Sequence, residues 1–262
     1  MSSVCLLVVV SRMAPDAPMV VGANRDERRD RPATAATVLR PHHPRIVGGR
    51  DELAGGTWLA VNEHGVVAGL TNRPTPDGRD PTKRSRGELP LALASHVDAR
   101  GAVEELAARV RPEDYNPAWL LVGDRTSLFY VDMTDGSRPE VDELGPGVHI
   151  LENNPLGADS PKSANVRRLL GTVPSHDSDT LVEHLMSVLV DHTIPDGVGG
   201  LPEGVDPSVF AACVHTSQYG TRSSALVRVS SDPLARPAIA VADGHPCTSS
   251  FVDVSALWEA RG

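Results

Sequence analysis

The sequence predicts an α+β fold, most simply a four-layer αββα sandwich of two antiparallel sheets flanked by helices. Strand patterns occur in consecutive groups joined by short turns, which is typical of antiparallel hairpins. Pairs of helical patterns separate these groups, so the strict strand–helix alternation of a doubly wound parallel sheet is missing. A two-layer α+β sandwich also satisfies the pattern. We expect residues 1–262 to form a single domain.

The first third of the chain contains two predicted hairpins. The run CLLVVV at residues 5–10 is rich in β-branched side chains, and a second short apolar strand is predicted at 19–23 beyond Pro15 and Pro18. The second hairpin pairs residues 57–61 with 66–71. Its four-residue connection ends in Gly65, which supplies the positive φ that such turns need.

The remaining elements follow in the same way. Apolar spacing predicts helices over 87–97 and 102–110, and later over 162–170 and 180–190. A hairpin is predicted from 118–122 and 127–133, with a further strand at 148–151. The stretch 194–207 is rich in proline and glycine and is predicted to be a loop. The last predicted strands are 209–214, 224–229, 238–241 and 251–254.

Composition excludes several classes of function. A net charge of -9 argues against a nucleic-acid partner, which needs a basic face. Basic residues nevertheless exceed acidic ones in the first 90 residues, so an anionic small molecule is a candidate ligand, although ordinary surface charge is the simpler explanation of this excess. The three cysteines have no C-x-x-C pair, which predicts neither a disulfide framework nor a zinc site. We expect a cytoplasmic protein with no integral membrane segment, no cofactor and no metal.

The most informative local pattern is Cys5 at the start of the first strand. If residues 5–10 and 19–23 pair as a hairpin, the end of the second strand lies opposite the start of the first. The polar tetrad NRDE at residues 24–27 would then lie beside the sulfur of Cys5. The simpler alternative is that Cys5 is a small buried hydrophobic residue, as most free cysteines are.

Several motifs in one order give the chain a family resemblance. They are GANRDE at 22–27, GGRD at 48–51, AGGTW at 54–58, NEHG at 62–65, LTN at 70–72, SRG at 85–87 and YGTRSS at 219–224. This set resembles the NRDE family, the transport-and-Golgi-organization type, over nearly the whole chain. That family looks like a member of the N-terminal-nucleophile (Ntn) hydrolase superfold, which implies the αββα sandwich.

A more distant resemblance implies residue roles. The sequences at 62–65, 69–72 and 153–155 are similar to those of choloylglycine hydrolases and penicillin V acylases, which are cysteine amidases. By that resemblance Cys5 is the nucleophile, Asp26 lies near the α-amine, Asn72 is an oxyanion donor, Asn153 is a polar partner and Arg222 is the cation close to the thiol. Ala23 stands where those amidases carry an arginine. Predicted substrate-binding residues are Asn24, Arg25, Glu27, Arg50, Trp58, Arg73 and Tyr219.

Two hypotheses of function follow from this resemblance. The first is a cysteine Ntn-type hydrolase that cleaves an amide or related acyl bond in a small molecule. An N-terminal cysteine carries its own base, the α-amine, so this mechanism requires removal of residues 1–4. The alternative is a non-catalytic binding or trafficking protein for an anionic amphipathic ligand such as haem or acyl-CoA.

Other motifs give little support to other functions. Glu183-His184 and Asp191-His192 share a predicted helix face, but they lack the H-E-x-x-H pattern and a third ligand, so a metal site is not predicted there. The G-x-S-x-G, Walker and G-x-G-x-x-G motifs are also missing from the sequence.

Overall fold

The structure, a computed structural model, describes residues 5–134, 136–172, 177–196, 198–199, 201 and 205–259. Its strands are β1 (Leu6–Ser11), β2 (Met19–Arg28), β3 (Ala33–Arg40), β4 (Ile46–Asp51), β5 (Leu59–Asn62), β6 (Val67–Asn72), β7 (Ala118–Gly123), β8 (Leu128–Asp132), β9 (Glu140–Glu143), β10 (Gly147–Leu151), β11 (Tyr219–Val229), β12 (Ala238–Asp243) and β13 (Val252–Asp253). Its α-helices are α1 (Glu88–Leu93), α2 (Ala99–Arg109), α3 (Pro161–Leu170) and α4 (Ser178–Leu189).

Two antiparallel sheets pack face to face. Within the described residues, one sheet has the order β10-β1-β2-β11-β12-β13 and the other the order β3-β4-β5-β6-β7-β8-β9. The space between them is filled by apolar side chains from both sheets, including Leu7, Val9, Val61, Leu121 and Val227.

Helices cover the two outer faces. The side chains of α1 and α2 pack on β6, β7 and β8 of the second sheet, and those of α3 and α4 pack on β1, β2 and β11 of the first. Along β1, Leu6 and Val8 face these helices while Leu7 and Val9 face the other sheet, which explains an uninterrupted apolar run. The four-layer αββα prediction is confirmed.

Helix starts follow from local sequence. The side chains of Asp98, Ser160 and Asp177 accept hydrogen bonds from backbone N–H groups in the first turns of α2, α3 and α4. Such N-caps satisfy donors that have no partner within the helix. No helix in the described part of the chain has the length and apolar character needed to cross a bilayer.

The structure corrects the element predictions in two respects. The strand predicted at 209–214 is wrong, because Asp206 caps a 3-10 helix at Pro207–Phe210 and the backbone N–H of Cys213 donates to Asp191 outside either sheet. Strands β3, β4 and β9 were not predicted. Part of the predicted 194–207 loop lies outside the described residues.

Candidate active site

The register of the first hairpin brings Cys5 to the tetrad. Leu6 pairs with Asn24, so Cys5, the residue before it, is level with Arg25. Cys5 is buried, with 7% of its surface exposed. The strand pairing therefore confirms the prediction that the backbone of Cys5 lies beside that of the tetrad.

A cavity of about 580 Å³ opens beside Cys5. It is lined by parts of the tetrad, by the segments around residues 54–58 and 70–79, and by residues 84–87. Its cationic side chains are Arg25, Arg31, Arg73, Arg79, Arg84 and Arg86, against the two carboxylates Glu27 and Asp51. The cavity wall therefore carries an excess of positive charge.

Arg25 is fixed within this wall. Its guanidinium lies 4.5 Å from the centre of the Trp58 ring, 3.4 Å from Asp51 and 3.8 Å from Glu27. The Nη1 atom is buried and has no hydrogen-bond partner among the described residues. Gly49 makes this packing feasible, since a Cβ there would lie 2.0 Å from an atom of the Trp58 ring. A fixed cation with a spare donor suits an anionic ligand.

Arg86 is a second cation near the thiol and is half-buried. Burial lowers the pKa of Arg86 to about 10 and the neighbouring Arg79 adds to this effect, while the charges of Cys5 and Glu27 act against it. Its Nη1 donates to the backbone carbonyl of Pro117 at 3.0 Å. Even with this pKa the guanidinium is charged at neutral pH, and a cation close to a sulfur favours its thiolate form.

Asp26 points away from the cavity, into the layer of α3. It is fully buried and accepts hydrogen bonds from Lys162 Nζ at 3.2 Å and Thr221 Oγ1 at 2.5 Å. Burial raises the pKa of Asp26 to about 6, although Lys162, Thr221 and Arg25 each act in the opposite direction. Lys162 is also fully buried, so the two residues form an ion pair shielded from water.

The two predicted asparagines are in contact. Asn72 ends β6 and lines the cavity, and its backbone carbonyl accepts a hydrogen bond from the side-chain amide of Asn153. Among the described residues, the side-chain amide of Asn72 has no hydrogen-bond partner, so it is available to a ligand. Asn153, which is buried, therefore positions the end of β6.

The predicted residues divide into two groups. Cys5, Asn72, Arg25, Glu27, Trp58 and Arg73 line the cavity. Asn24 does not, because its amide is engaged by Leu189, Ala212 and Ser224 on the helix side of β2. Tyr219 packs in a separate apolar cluster and Arg50 is exposed on β4.

Arg222 is the extra residue of a bulge between Thr221 and Ser223 and does not line the cavity. Burial, together with neighbouring positive charges that include Arg222, lowers the pKa of His245 to about 4. The charge of Arg86, a cavity residue in the predicted SRG motif, interacts with that of Cys5. Within the part of the chain that the structure describes, no metal-ligand cluster lies in this cavity. The one such group among the described residues is His192, Cys213, His215 and Cys247.

Comparison with known proteins identifies the family. A family model described as Transport and Golgi organisation 2 matches residues 4–235. The chain belongs to the Transport and Golgi organisation 2 family. The family resemblance inferred from the sequence motifs is thereby confirmed.

Animal members of the family align along most of this chain. The Transport and Golgi organization 2 homolog of Mus musculus is 29% identical over 229 residues, covering 80% of this chain and 82% of the mouse protein. The Homo sapiens homolog is 30% identical over 232 residues, covering 82% and 83% of the two chains.

Solved structures extend the likeness of this Transport and Golgi organisation 2 member to the Ntn-hydrolase fold. A Caenorhabditis elegans ortholog of the N-acylethanolamine-hydrolyzing acid amidase has a TM-score of 0.54 at 13% identity, covering 85% of this chain and 92% of its own. A variant of the conjugated bile acid hydrolase of Clostridium perfringens has a TM-score of 0.50 at 12% identity, covering 95% and 96%. These likenesses show a shared fold.

Proposed function

We propose that the protein is a cysteine Ntn-type hydrolase that cleaves an amide or related acyl bond in an anionic small molecule. The observation that carries the proposal is a buried thiol at the start of β1, beside a cavity whose wall holds six arginines and two carboxylates. A thiol in a partly enclosed, electropositive environment is typical of reactive cysteines. The Ntn-hydrolase fold provides the matching framework.

The proposed reaction begins after loss of residues 1–4. The α-amine of Cys5 takes the thiol proton as Sγ attacks the carbonyl carbon, forming a C–S bond and a tetrahedral oxyanion. Collapse breaks the C–N bond, and the amine leaves with the proton from the α-ammonium. Water then cleaves the thioester, releasing a carboxylic acid and restoring the thiol.

The surrounding residues have separate roles in this proposal. Asn72 donates its free amide to the oxyanion, a contact worth about 3 kcal/mol in acyl-transfer enzymes. Arg86 favours the thiolate by charge. Arg25, which lines the cavity, attracts an anionic group of the substrate by its charge. Asp26, held by Lys162, fixes the end of β2, the strand that pairs with β1 beside Cys5.

A second candidate is suggested by the cavity itself. Its wall combines the arginines with Trp58, Leu70 and prolines, which suits an anionic amphipathic ligand such as haem or acyl-CoA without any reaction. In this alternative the protein binds or carries the ligand and Cys5 is not a nucleophile. For either function we infer a cytoplasmic location, in line with three free cysteines.

The deciding experiment is the intact mass of the purified wild-type protein beside Cys5→Ala and, as a matched control, Cys247→Ala. We expect residues 2–4 to be lost from the wild type and from Cys247→Ala and retained in Cys5→Ala, since their removal depends on the thiol. A screen of N-acyl compounds that carry a carboxylate or phosphate then follows. Retention of residues 2–4 in the wild type, as in Cys5→Ala, rejects the α-amine mechanism. Haem or acyl-CoA affinity that is equal in wild type and Cys5→Ala then supports the binding function.

A further inference from the structure

A second cluster of reactive side chains lies outside the cavity. His192, Cys213, His215 and Cys247 each offer one nitrogen or sulfur, and these four atoms all lie within 4.8 Å of one another. His215 Nε2 is 3.4 Å from Cys213 Sγ and 3.3 Å from Cys247 Sγ. The proposed reaction uses none of these groups.

We propose that these four side chains form a tetrahedral zinc site. Zinc in structural sites prefers two to four thiolates completed by imidazoles, with Zn–S near 2.3 Å and Zn–N near 2.0–2.1 Å. Tetrahedral geometry then puts a nitrogen and a sulfur about 3.6 Å apart. The two nitrogen–sulfur distances here are within a few tenths of an ångström of that value.

The ligands come from three segments that the fold holds in place. His192 follows α4, and the Cys213 backbone N–H donates to Asp191 beside it at 2.8 Å. The Val214 N–H donates to Thr221 Oγ1 at 2.9 Å, which fixes the chain between Cys213 and His215. The loop that carries Cys247 is tied at Gly244, whose N–H donates to the carbonyl of Arg222 at 2.9 Å.

The local environment fits a soft divalent cation. Cys213 is buried, His215 and Cys247 are half-buried and His192 is exposed, so an ion has a path to the site from solvent. The His215 ring is held between His245, which stacks on it with centroids 3.8 Å apart, and the edge of His192 at 4.7 Å. Binding releases the two thiol protons, and the two thiolates then neutralise the charge of Zn²⁺. The loaded site therefore adds no positive charge beside Arg29 and Arg222.

A zinc ion here would join the end of α4 and two loops to the start of β11. Thr221, which fixes the Cys213 segment, also donates to Asp26. The expected role is therefore structural, and it is independent of whether the cavity is catalytic. This site was not predicted from the sequence because its ligands are spread over the 56 residues from His192 to Cys247 without the spacing of a known zinc motif.

The test is metal content of the untagged, full-length protein, purified and equilibrated with Zn²⁺ under reducing conditions. We expect about one zinc per chain by mass spectrometry, a thiolate-to-cobalt absorption band when Co²⁺ replaces it, and a higher Tm with Zn²⁺. Cys5→Ser, which changes the one cysteine outside the group, should keep all three properties. Cys213→Ser and Cys247→Ser should lose them, and the exposed His192→Gln should weaken zinc affinity at least tenfold without unfolding the protein.

Three results overturn the proposal. One is a wild-type protein that retains no zinc and shows no cobalt band. Another is unchanged zinc loading in both Cys247→Ser and His192→Gln. The third is a Cys213–Cys247 disulfide that persists in reductant, detected as a mass lower by two hydrogen atoms and as resistance of both residues to alkylation.

Discussion

Replacing Lys162 with methionine tests the buried ion pair behind the candidate active site. The change keeps the length of the side chain but removes its charge, leaving the Asp26 carboxylate buried with Thr221 as a remaining donor. Removing one partner of a buried pair typically costs 3–5 kcal/mol. We therefore expect Lys162→Met to lower the free energy of unfolding by about 4 kcal/mol at pH 8.

The pH dependence gives this prediction a distinctive signature. The pKa of Asp26 in the folded protein, about 6, lies above its ordinary value of 3.8 because burial disfavours the carboxylate. The contribution of Asp26 to stability is thus complete below pH 3.8 and is lost as the pH rises through about 6, a change of about 3 kcal/mol. Lys162→Met removes the ammonium group that lowers the pKa of Asp26. This pKa therefore rises, and the loss of stability continues to higher pH. The cost of the substitution should therefore grow between pH 5 and pH 8.

Urea unfolding at pH 5, 6, 7 and 8 measures this cost. Lys83→Met, which changes the only other lysine of the chain, is the matched control and should cost less than about 1 kcal/mol. The double variant Asp26→Asn with Lys162→Met should recover most of the loss, since no uncompensated charge remains buried. A cost below about 1 kcal/mol at pH 8, or a cost that is equal at pH 5 and pH 8, would refute the reasoning.

Two further predictions concern the cavity. Arg86→Gln should slow iodoacetamide alkylation of Cys5 at pH 7 by about three- to tenfold, because a cation that favours the thiolate is removed, whereas Arg50→Gln on the exposed face of β4 should leave the rate unchanged. Equal rates in both variants would contradict this role. Gly49→Ala should destabilise the protein by about 1–3 kcal/mol in thermal or urea unfolding, since its Cβ would overlap the cavity tryptophan. Gly145→Ala, where a Cβ meets nothing within 4 Å, is the control, and an equal effect of the two changes would contradict the packing argument.

The sequence was most informative where the chain is locally regular. The run at residues 5–10 and the short return to 19–23 are sufficient to predict the register that brings Cys5 to the tetrad. By contrast, β3 has half-buried alanines and threonines, and β4 contains Gly48 and Gly49, so neither shows a strong strand pattern. The apolar segment 209–214 reads as a strand by composition, but its burial comes from packing between α4 and β11.

Features that depend on long-range contacts were not accessible from the sequence. The partner of Asp26 lies 136 residues away at Lys162, and a lone lysine gives no sign that it will be buried. The same holds for Cys213 and Cys247, which only the fold brings together. The family resemblance suggested Arg222 as the cation near the thiol; the structure places Arg222 at the bulge in β11, outside the cavity lining, and adds Arg86, whose charge interacts with Cys5.

The tetrad at residues 24–27 serves two purposes because a strand has two faces. Arg25 and Glu27 follow Val21 and Ala23 on the inter-sheet face and reach the cavity. Asn24 and Asp26 lie on the opposite face, where hydrogen bonds tie them to the α4 and α3 layers. A loss of activity on changing Arg25 or Glu27 would thus report on ligand contact. The same loss on changing Asn24 or Asp26 would report on the placement of β2, and the two cases are separable because only the second should be accompanied by a large loss of stability.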